Sequence, residues 1–209
     1  FLREIPRDAA VICTKVFNHF NPDQSRYPDL SPAHIRERCG ASLKRLGIDC
    51  IDLYLLHFYD PLTPLADVAA TMLDLQAAGK IRRFGVSNHT VEQFRAQRRF
   101  AAHSVIQPPY SLLQREIEQD LLPYCEAERL GVMIYSPLHK GLLTGKYEGT
   151  EAFADFRAHH PDFQGERFKA IATAVRRLAP MAKSYGLSLY QLILAATLMH
   201  PGISVAIVG

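Results

Sequence analysis

Short apolar runs alternate along the chain with longer segments in which apolar residues recur every three to four positions. The runs predict six β-strands, at residues 11–17, 51–57, 81–88, 104–107, 132–135 and 204–209. The longer periodicity predicts helices at residues 31–46, 65–78, 90–99, 117–129, 166–184 and 188–199, and a polar loop covers residues 139–165. Alternating apolar strands and helices predict an α/β fold with a parallel sheet covered by helices.

Two sheet closures fit this alternation, an open doubly wound sheet and a TIM (β/α)8 barrel. The glycine-rich GxGxxG turn that is typical of an open nucleotide-binding sheet does not occur in the sequence. Polar residues instead end five successive strands: Lys15, His57, Ser87-Asn88, Gln107 and Tyr135-Ser136. Because barrels carry functional residues at strand carboxyl ends, we expect a TIM barrel. About six of its eight βα units would lie in residues 1–209, as one domain incomplete at both ends.

Composition excludes several classes of protein. Apolar residues make up 48% of the chain and charged residues 22%, which rules out disorder as the main state. A net charge of +3 is too small to indicate a nucleic-acid partner. The apolar stretch at residues 192–199 is far shorter than the roughly 20 residues of a membrane span. The charged opening, FLREIPRD, does not resemble a signal peptide, so we expect a cytoplasmic protein.

No metal site is expected. The four cysteines form no CxxC pair. His159 and His160, with Asp155 and Asp162, form a dense cluster of ligand-type residues, but they lie in the polar loop and are expected to be solvated.

Lys15 and His57 are the first candidates for catalysis. Lys15 lies inside an apolar strand, where a buried ammonium is costly unless it is paired or functional. It is either a lysine that reaches solvent at a strand end or a charge that lowers the pKa of a neighbouring acid. His57 is either a core histidine or a neutral imidazole that hydrogen-bonds a substrate oxygen.

A second group of residues suits a planar, phosphorylated ligand. Ser87, Asn88 and Gln107 offer donors and acceptors for a carboxamide or a sugar, although they could simply cap loops. Tyr135 offers either a ring for stacking or a phenol for acid chemistry, or it simply packs at the end of its strand. The glycines and lysines of residues 136–147 suit a pyrophosphate, because glycine lets backbone amides approach a ligand closely.

Four stretches together resemble the aldo/keto reductase family: LKRLGIDCIDLYLLH (43–57), GKIRRFGVSN (79–88), VIQPPYSLL (105–113) and YSPLHKGLLTGKY (135–147). The resemblance runs from residue 10 to residue 209. It implies a TIM barrel that uses NADPH to reduce an aldehyde or a ketone.

The resemblance also implies roles for individual residues. Lys15 and His57 match two members of the family's Asp-Tyr-Lys-His tetrad. Ser87, Asn88 and Gln107 match the residues that hold the nicotinamide carboxamide, and Tyr135 matches the aromatic residue that stacks on the nicotinamide. Ser136, Pro137, Leu138, Gly141 and Lys146 match the pyrophosphate-binding stretch, and Arg157 and Gly209 are further candidate cofactor contacts.

The family's aspartate and tyrosine precede the position of Lys15, on a segment that is expected to lie upstream of Phe1. If residues 1–209 were the whole polypeptide, we would expect poor solubility and no reductase activity. Two other functions stay open: a cofactor-binding regulatory subunit on the same fold, and a barrel that handles sugars or phosphates. The substrate pocket and the oligomeric state cannot be predicted from these residues.

Overall fold

The computed structural model of the chain describes residues 4–20, 23 and 25–208, and for Phe20 it describes the backbone only. Its strands are β1 (Cys13–Val16), β2 (Asn18–Phe20), β3 (Arg26–Pro28), β4 (Ile51–Leu56), β5 (Ile81–Ser87), β6 (Val105–Gln107), β7 (Gly131–Tyr135) and β8 (Val205–Ile207). Its α-helices are α1 (Pro32–Leu46), α2 (Leu65–Ala77), α3 (Val91–Arg98), α4 (Leu121–Ala127), α5 (Gly165–Arg176), α6 (Ala179–Ser184) and α7 (Leu189–Leu198).

The chain folds into two compact units. The first contains residues 1–108 and 123–132, and the second contains residues 109–122 and 133–209. In the first unit, β1, β4, β5, β6 and the start of β7 pair in that order, always in parallel. In the second unit, the end of β7 pairs in parallel with β8. The predicted alternation of parallel strands and helices is therefore confirmed within each unit.

Local sequence signals fix the helix ends. The Ser31 side chain accepts a hydrogen bond from the backbone N–H of His34 and so caps α1, and Gly47 ends this helix at a φ of 66°. Thr90 and Gln93 form a capping box at the start of α3, and Ser188 and Gln191 form another at the start of α7. Each cap satisfies backbone donors that the first helical turn leaves unpaired.

The first unit is built around β4, whose residues are all buried. Ile35 and Cys39 of α1 and Val68 and Met72 of α2 are also buried, as the apolar stripes of these helices predict. Among the described residues, no helix is long and apolar enough to cross a membrane.

Several predicted boundaries are wrong, and proline explains two of them. Pro123 is tolerated only in the first turn of a helix, so α4 begins at Leu121 and a 3-10 turn at Glu116–Glu118 replaces its predicted start. Pro180 has no backbone N–H to bond the carbonyl of residue 176, so the helix predicted over residues 166–184 divides into α5 and α6.

Two other regions also differ from the prediction. The antiparallel hairpin of β2 and β3 was not predicted, because its three-residue strands lack an apolar face. The polar loop contains 3-10 turns at His139–Thr144, Phe156–His159 and Pro161–Phe163.

Gly85 allows β5 to approach β6 closely. A β-carbon at this position would overlap the carbonyl oxygen of Val105 and would lie 2.6 Å from its Cγ1 atom. The strands then pair through Val86 with Ile106 and Ser87 with Gln107. The missing side chain of Gly85 therefore sets the spacing at which Ser87 and Gln107 meet.

We predict that Gly85→Ala lowers the free energy of unfolding by about 2–3 kcal/mol, because rigid backbone must move to admit the methyl group. Gly131→Ala is the matched control, since its new β-carbon would meet Val105 at an ordinary 3.5 Å. Urea unfolding of both variants measures the difference. Equal losses in the two variants would contradict the close approach at Gly85.

Candidate functional site

Lys15 and His57 lie at the carboxyl ends of neighbouring strands. Lys15 pairs in register with Leu55, and the backbone N–H of His57 donates to the carbonyl oxygen of Val16 at 2.9 Å. Burial lowers the pKa of His57, and the positive charge of Lys15 lowers it further. Near neutral pH this site therefore combines a cation with an uncharged imidazole that can donate one hydrogen bond.

Ser87, Asn88 and Gln107 also meet at strand ends of the first unit. The Ser87 hydroxyl donates to the carbonyl oxygen of Gln107 at 2.8 Å. The Asn88 side-chain amide donates to the carbonyl oxygen of His57 at 3.0 Å and to Oγ of Ser87 at 3.1 Å. Gln107 is only 2% exposed, and its Nε2 atom has no hydrogen-bond partner within the described part of the chain. A buried amide donor without a partner is costly, so this atom indicates a place for a ligand acceptor.

In the second unit, Tyr135 ends β7 beside a cavity of about 290 Å³. The cavity is lined by Tyr135, Ser136, Pro137, Leu138, Lys140, Gly141, Ile207 and Val208. The backbone N–H of Tyr110 donates to the carbonyl oxygen of Tyr135 at 3.1 Å. Burial raises the pKa of Tyr135, so its side chain is a neutral phenol at physiological pH.

The backbone after Tyr135 turns through an unusual run of left-handed conformations. The φ angles are 60° at Ser136, 47° at His139, 55° at Lys140 and 89° at Gly141. A β-carbon on Gly141 would lie 3.4 Å from Cε and Nζ of Lys146. Each non-glycine residue in this region costs on the order of 1 kcal/mol, and such strain is typical of ligand-binding turns.

A buried network holds this turn in place, and the sequence did not predict it. Nδ1 of His139 lies 3.2 Å from Oγ of Ser111, and Nε2 lies 2.7 Å from Oδ2 of Asp162, whose Oδ1 accepts from Arg167. Asp162 is 7% exposed, so the prediction that it is solvated is wrong; its hydrogen bonds compensate for burial. Ser111 and Asp162 lie 28 and 23 residues from His139, which leaves no local motif to find.

This serine, histidine and aspartate do not form a nucleophilic site. Ser111 is 1% exposed, and the Ser111 hydroxyl lies within hydrogen-bond distance of the backbone N–H of Leu113 at 3.2 Å. A catalytic serine needs access to its substrate. The network therefore serves to position the turn rather than to attack a ligand.

The remaining predicted cofactor contacts have different surroundings. The Arg157 guanidinium donates to Asp155 at 2.7 Å and to the Tyr147 hydroxyl at 2.6 Å. Lys146 is exposed, with its Nζ 4.9 Å from the centre of the Tyr147 ring. Gly209 lies outside the described residues. The cofactor roles of these three residues stay predictions.

Comparisons with known proteins agree on one family. The model of the family described as "Aldo/keto reductase family" matches residues 1–209. "Aldo-keto reductase YhdN" of Bacillus subtilis is 40% identical over 206 residues, which cover 97% of this chain and 62% of that protein. "NADH-specific methylglyoxal reductase" of Escherichia coli is 34% identical over 207 residues, covering 93% of this chain and 63% of that protein. The chain thus spans about three fifths of the length of these relatives.

A solved structure supports the fold. The aldo/keto reductase from Klebsiella pneumoniae, crystallised in complex with NADP and acetate, matches with a TM-score of 0.71 and 33% identity. The match covers 99% of this chain and 62% of that one. The predicted fold class, a TIM barrel of which the chain holds part, is confirmed.

The proximity of Lys15 to His57 can be measured directly. We predict that Lys15→Met raises the pKa of His57, because one of the two causes that lower it is removed. NMR titration of the imidazole in both proteins measures the shift. Lys44→Met, an exposed lysine on α1, is the matched control and should leave His57 unchanged. An unaltered His57 titration in Lys15→Met would contradict the proximity.

Proposed function

Because the chain belongs to the aldo/keto reductase family, we propose that the protein reduces an aldehyde or a ketone to an alcohol with NADPH. The observation that carries this proposal is the buried Nε2 donor of Gln107 beside Ser87 and Asn88. A reductase of this kind must hold the carboxamide of a nicotinamide, which offers an oxygen acceptor and an amide donor.

The first unit fits this carboxamide. Gln107 Nε2 would donate to the carboxamide oxygen, and this contact would give the buried donor the partner that it lacks. Ser87 and Asn88 supply further polar atoms within the same hydrogen-bonded group. The backbone carbonyls of His57 and Gln107 hold these side chains in place.

The second unit, taken by itself, carries groups that suit a nicotinamide ring and a pyrophosphate. Tyr135 offers a neutral aromatic ring at its cavity. Ser136, Pro137, Leu138 and Gly141 line the same cavity. The left-handed conformations of Ser136, Lys140 and Gly141 resemble the concave backbone that binds anions elsewhere. Lys146 packs over Gly141 and would add positive charge near a pyrophosphate. Arg157 would reach the cofactor only by exchanging one of its present contacts.

The chemistry divides between the cofactor and the chain. When bound, the cofactor supplies the hydride that reduces the carbonyl carbon. The neutral imidazole of His57 would donate a hydrogen bond to the carbonyl oxygen and so orient the substrate. Lys15 would lower the pKa of a neighbouring proton donor, which the family resemblance places on the segment before Lys15. The complete reaction would require that donor in addition to Lys15 and His57.

The choice between NADPH and NADH is argued from the relatives. The Klebsiella structure contains NADP, whereas the Escherichia coli relative is NADH-specific. We propose NADPH, and titration of the full-length protein with each nucleotide in turn tests this choice. A regulatory subunit would bind the nucleotide without turning over any carbonyl in an aldehyde and ketone panel.

The match of the family model from residue 1 to residue 209 supports a single domain. The cytoplasmic location and the absence of nucleic-acid and membrane partners stay predictions.

Tyr135→Ala tests the cofactor site. We expect this variant of the full-length protein to bind NADPH about 5- to 10-fold more weakly, because the aromatic contact contributes on the order of 1 kcal/mol. Fluorescence titration measures the affinity, and Tyr185→Ala, at an exposed tyrosine outside the site, is the matched control. An unchanged affinity in Tyr135→Ala would refute the stacking role.

Lys15→Met tests the reaction. We expect turnover to fall by at least ~10²-fold, the lower range for general acid catalysis, while NADPH affinity changes little. The charge would act on the proton donor and hence on the transition state. Steady-state kinetics with NADPH and a panel aldehyde measure both quantities, beside Lys44→Met. Equal losses in turnover and in cofactor affinity would instead indicate a binding or folding role.

A further inference from the structure

His19, Asp29 and His34 bring three metal-ligand atoms together, and none of the three is among the proposed catalytic or cofactor-binding residues. His19 lies on β2, Asp29 follows β3, and His34 lies in the first turn of α1. Nδ1 of His19 is 3.4 Å from Oδ2 of Asp29, and Nδ1 of His34 is 3.7 Å from the same oxygen. The ligand atoms of all three residues lie within 4.8 Å of one another.

We propose that these residues form a binding site for Zn²⁺. Zinc binds imidazole nitrogen and carboxylate oxygen at about 2.0–2.2 Å in tetrahedral geometry, so neighbouring ligand atoms are ~3.3–3.5 Å apart. An octahedral metal at a similar bond length would bring them to ~2.9 Å. The two separations that involve Asp29, 3.4 and 3.7 Å, lie closer to the tetrahedral value than to the octahedral one. Three protein ligands leave the fourth position for water.

The two imidazoles are already arranged for a shared ion. Their ring centres lie 5.1 Å apart. Two imidazoles that bind one tetrahedral zinc through single nitrogens have ring centres ~5 Å apart, from the same bond lengths and angle. Tyr27 stacks on the His19 ring at 4.8 Å and an interplanar angle of 12°, which restrains the orientation of that ligand.

His34 supplies the independent sign of a missing ligand. It is 5% exposed, and neither ring nitrogen has a hydrogen-bond partner among the residues that the structure describes. A buried imidazole in this state is costly, and coordination through Nδ1 would give that nitrogen a partner. The backbone N–H of Ser31 donates to Oδ1 of Asp29 at 2.8 Å, which leaves Oδ2 facing the two histidines.

In a second cluster of similar composition, the ligand-type residues already have cationic side chains as partners. His139, His160 and Asp162 also bring their ligand atoms together. However, Asp162 accepts from Arg167, and Nζ of Lys140 lies 3.2 Å from Nε2 of His160. Two cationic side chains in contact with the cluster would oppose a divalent ion. The comparison therefore favours the site at His34.

The ion would join the β2–β3 hairpin to α1. The hairpin follows β1 directly and pairs through only three residues on each strand, Asn18–Phe20 with Arg26–Pro28. A two-stranded hairpin of this size is marginally stable by itself. Zinc would link one ligand on β2 and one just after β3 to a third on α1, and would so restrain the hairpin that follows the strand of Lys15.

The test uses the full-length protein, with any histidine tag removed, and ZnCl₂ alone as the probe. Equilibrium dialysis followed by elemental analysis should find one zinc per chain. His19→Gln and His34→Gln should each weaken binding on the order of 100-fold, because each removes a ligand. His159→Gln, at an exposed histidine, is the matched control and should bind as the wild type does. Circular dichroism confirms that each variant is folded.

Because His34 is buried, its replacement could prevent folding, and His19→Gln, at a side chain that is 38% exposed, then decides the outcome. Co²⁺ replacement gives a second measurement, since a four-coordinate site absorbs visible light strongly and His19→Gln should abolish that band. The proposal is overturned if no zinc binds, if His19→Gln binds it unchanged, or if His160→Gln is the variant that loses it.

Discussion

Asn88 holds together the strand ends from which the candidate site is built. Its side-chain amide donates to the carbonyl oxygen of His57, and its backbone N–H donates to the carbonyl oxygen of Gln107 at 3.2 Å. One residue after β5 thereby ties down the ends of β4 and β6. Its φ of 57° is a conformation that asparagine tolerates better than most residues. The orientations of Ser87 and Gln107 depend on this arrangement, and the close approach at Gly85 makes it possible.

The second unit holds its ligand-type turn by a different means. Ser136, His139 and Lys140 are strained, and a strained backbone persists only where its surroundings determine it. The hydrogen bonds of His139 to Ser111 and Asp162 hold this turn in its conformation, and the two partners come from distant parts of the chain. Although burial raises the pKa of Asp162, hydrogen bonds from Arg167 and His139 outweigh this effect and keep its pKa below the usual value. The ionised carboxylate therefore accepts hydrogen bonds from both partners at neutral pH.

The features that could be predicted from the sequence are those that depend on the periodicity of apolar residues and on the polar residues that end the strands. Apolar runs located β1, β4 and β5, and the rule that barrels carry function at strand carboxyl ends selected Lys15 and His57 before any contact was known. The resemblance added roles that the residues alone left open. Proline positions were visible in the sequence, but their effect on helices predicted over residues 117–129 and 166–184 was underestimated.

What could not be predicted consists of contacts between residues that are far apart in sequence. Along the sequence, His159 and His160 are adjacent and belong to a dense cluster of ligand-type residues. His19, Asp29 and His34 are too far apart in sequence to form such a cluster. Those three meet only because β2 and β3 fold back into a hairpin and Ser31 starts a helix at once. The expectation of no metal site therefore followed from sequence spacing, whereas the proposed zinc site follows from tertiary structure.

The positive charge of Lys15 acts in one direction on every titratable group nearby, because it lowers the pKa of each. This single effect serves two parts of the proposed reaction. Burial is the main cause of the lowered pKa of His57, and the charge of Lys15 lowers it further. Because a cation disfavours any bound proton, the same charge would also make a neighbouring phenol more acidic. A protonated His57 beside Lys15 would place two positive charges together and raise the cost of holding either. The ammonium thus favours a neutral imidazole that orients the carbonyl and a donor that releases its proton readily, and the proposed reduction needs both beside the hydride that the cofactor would supply.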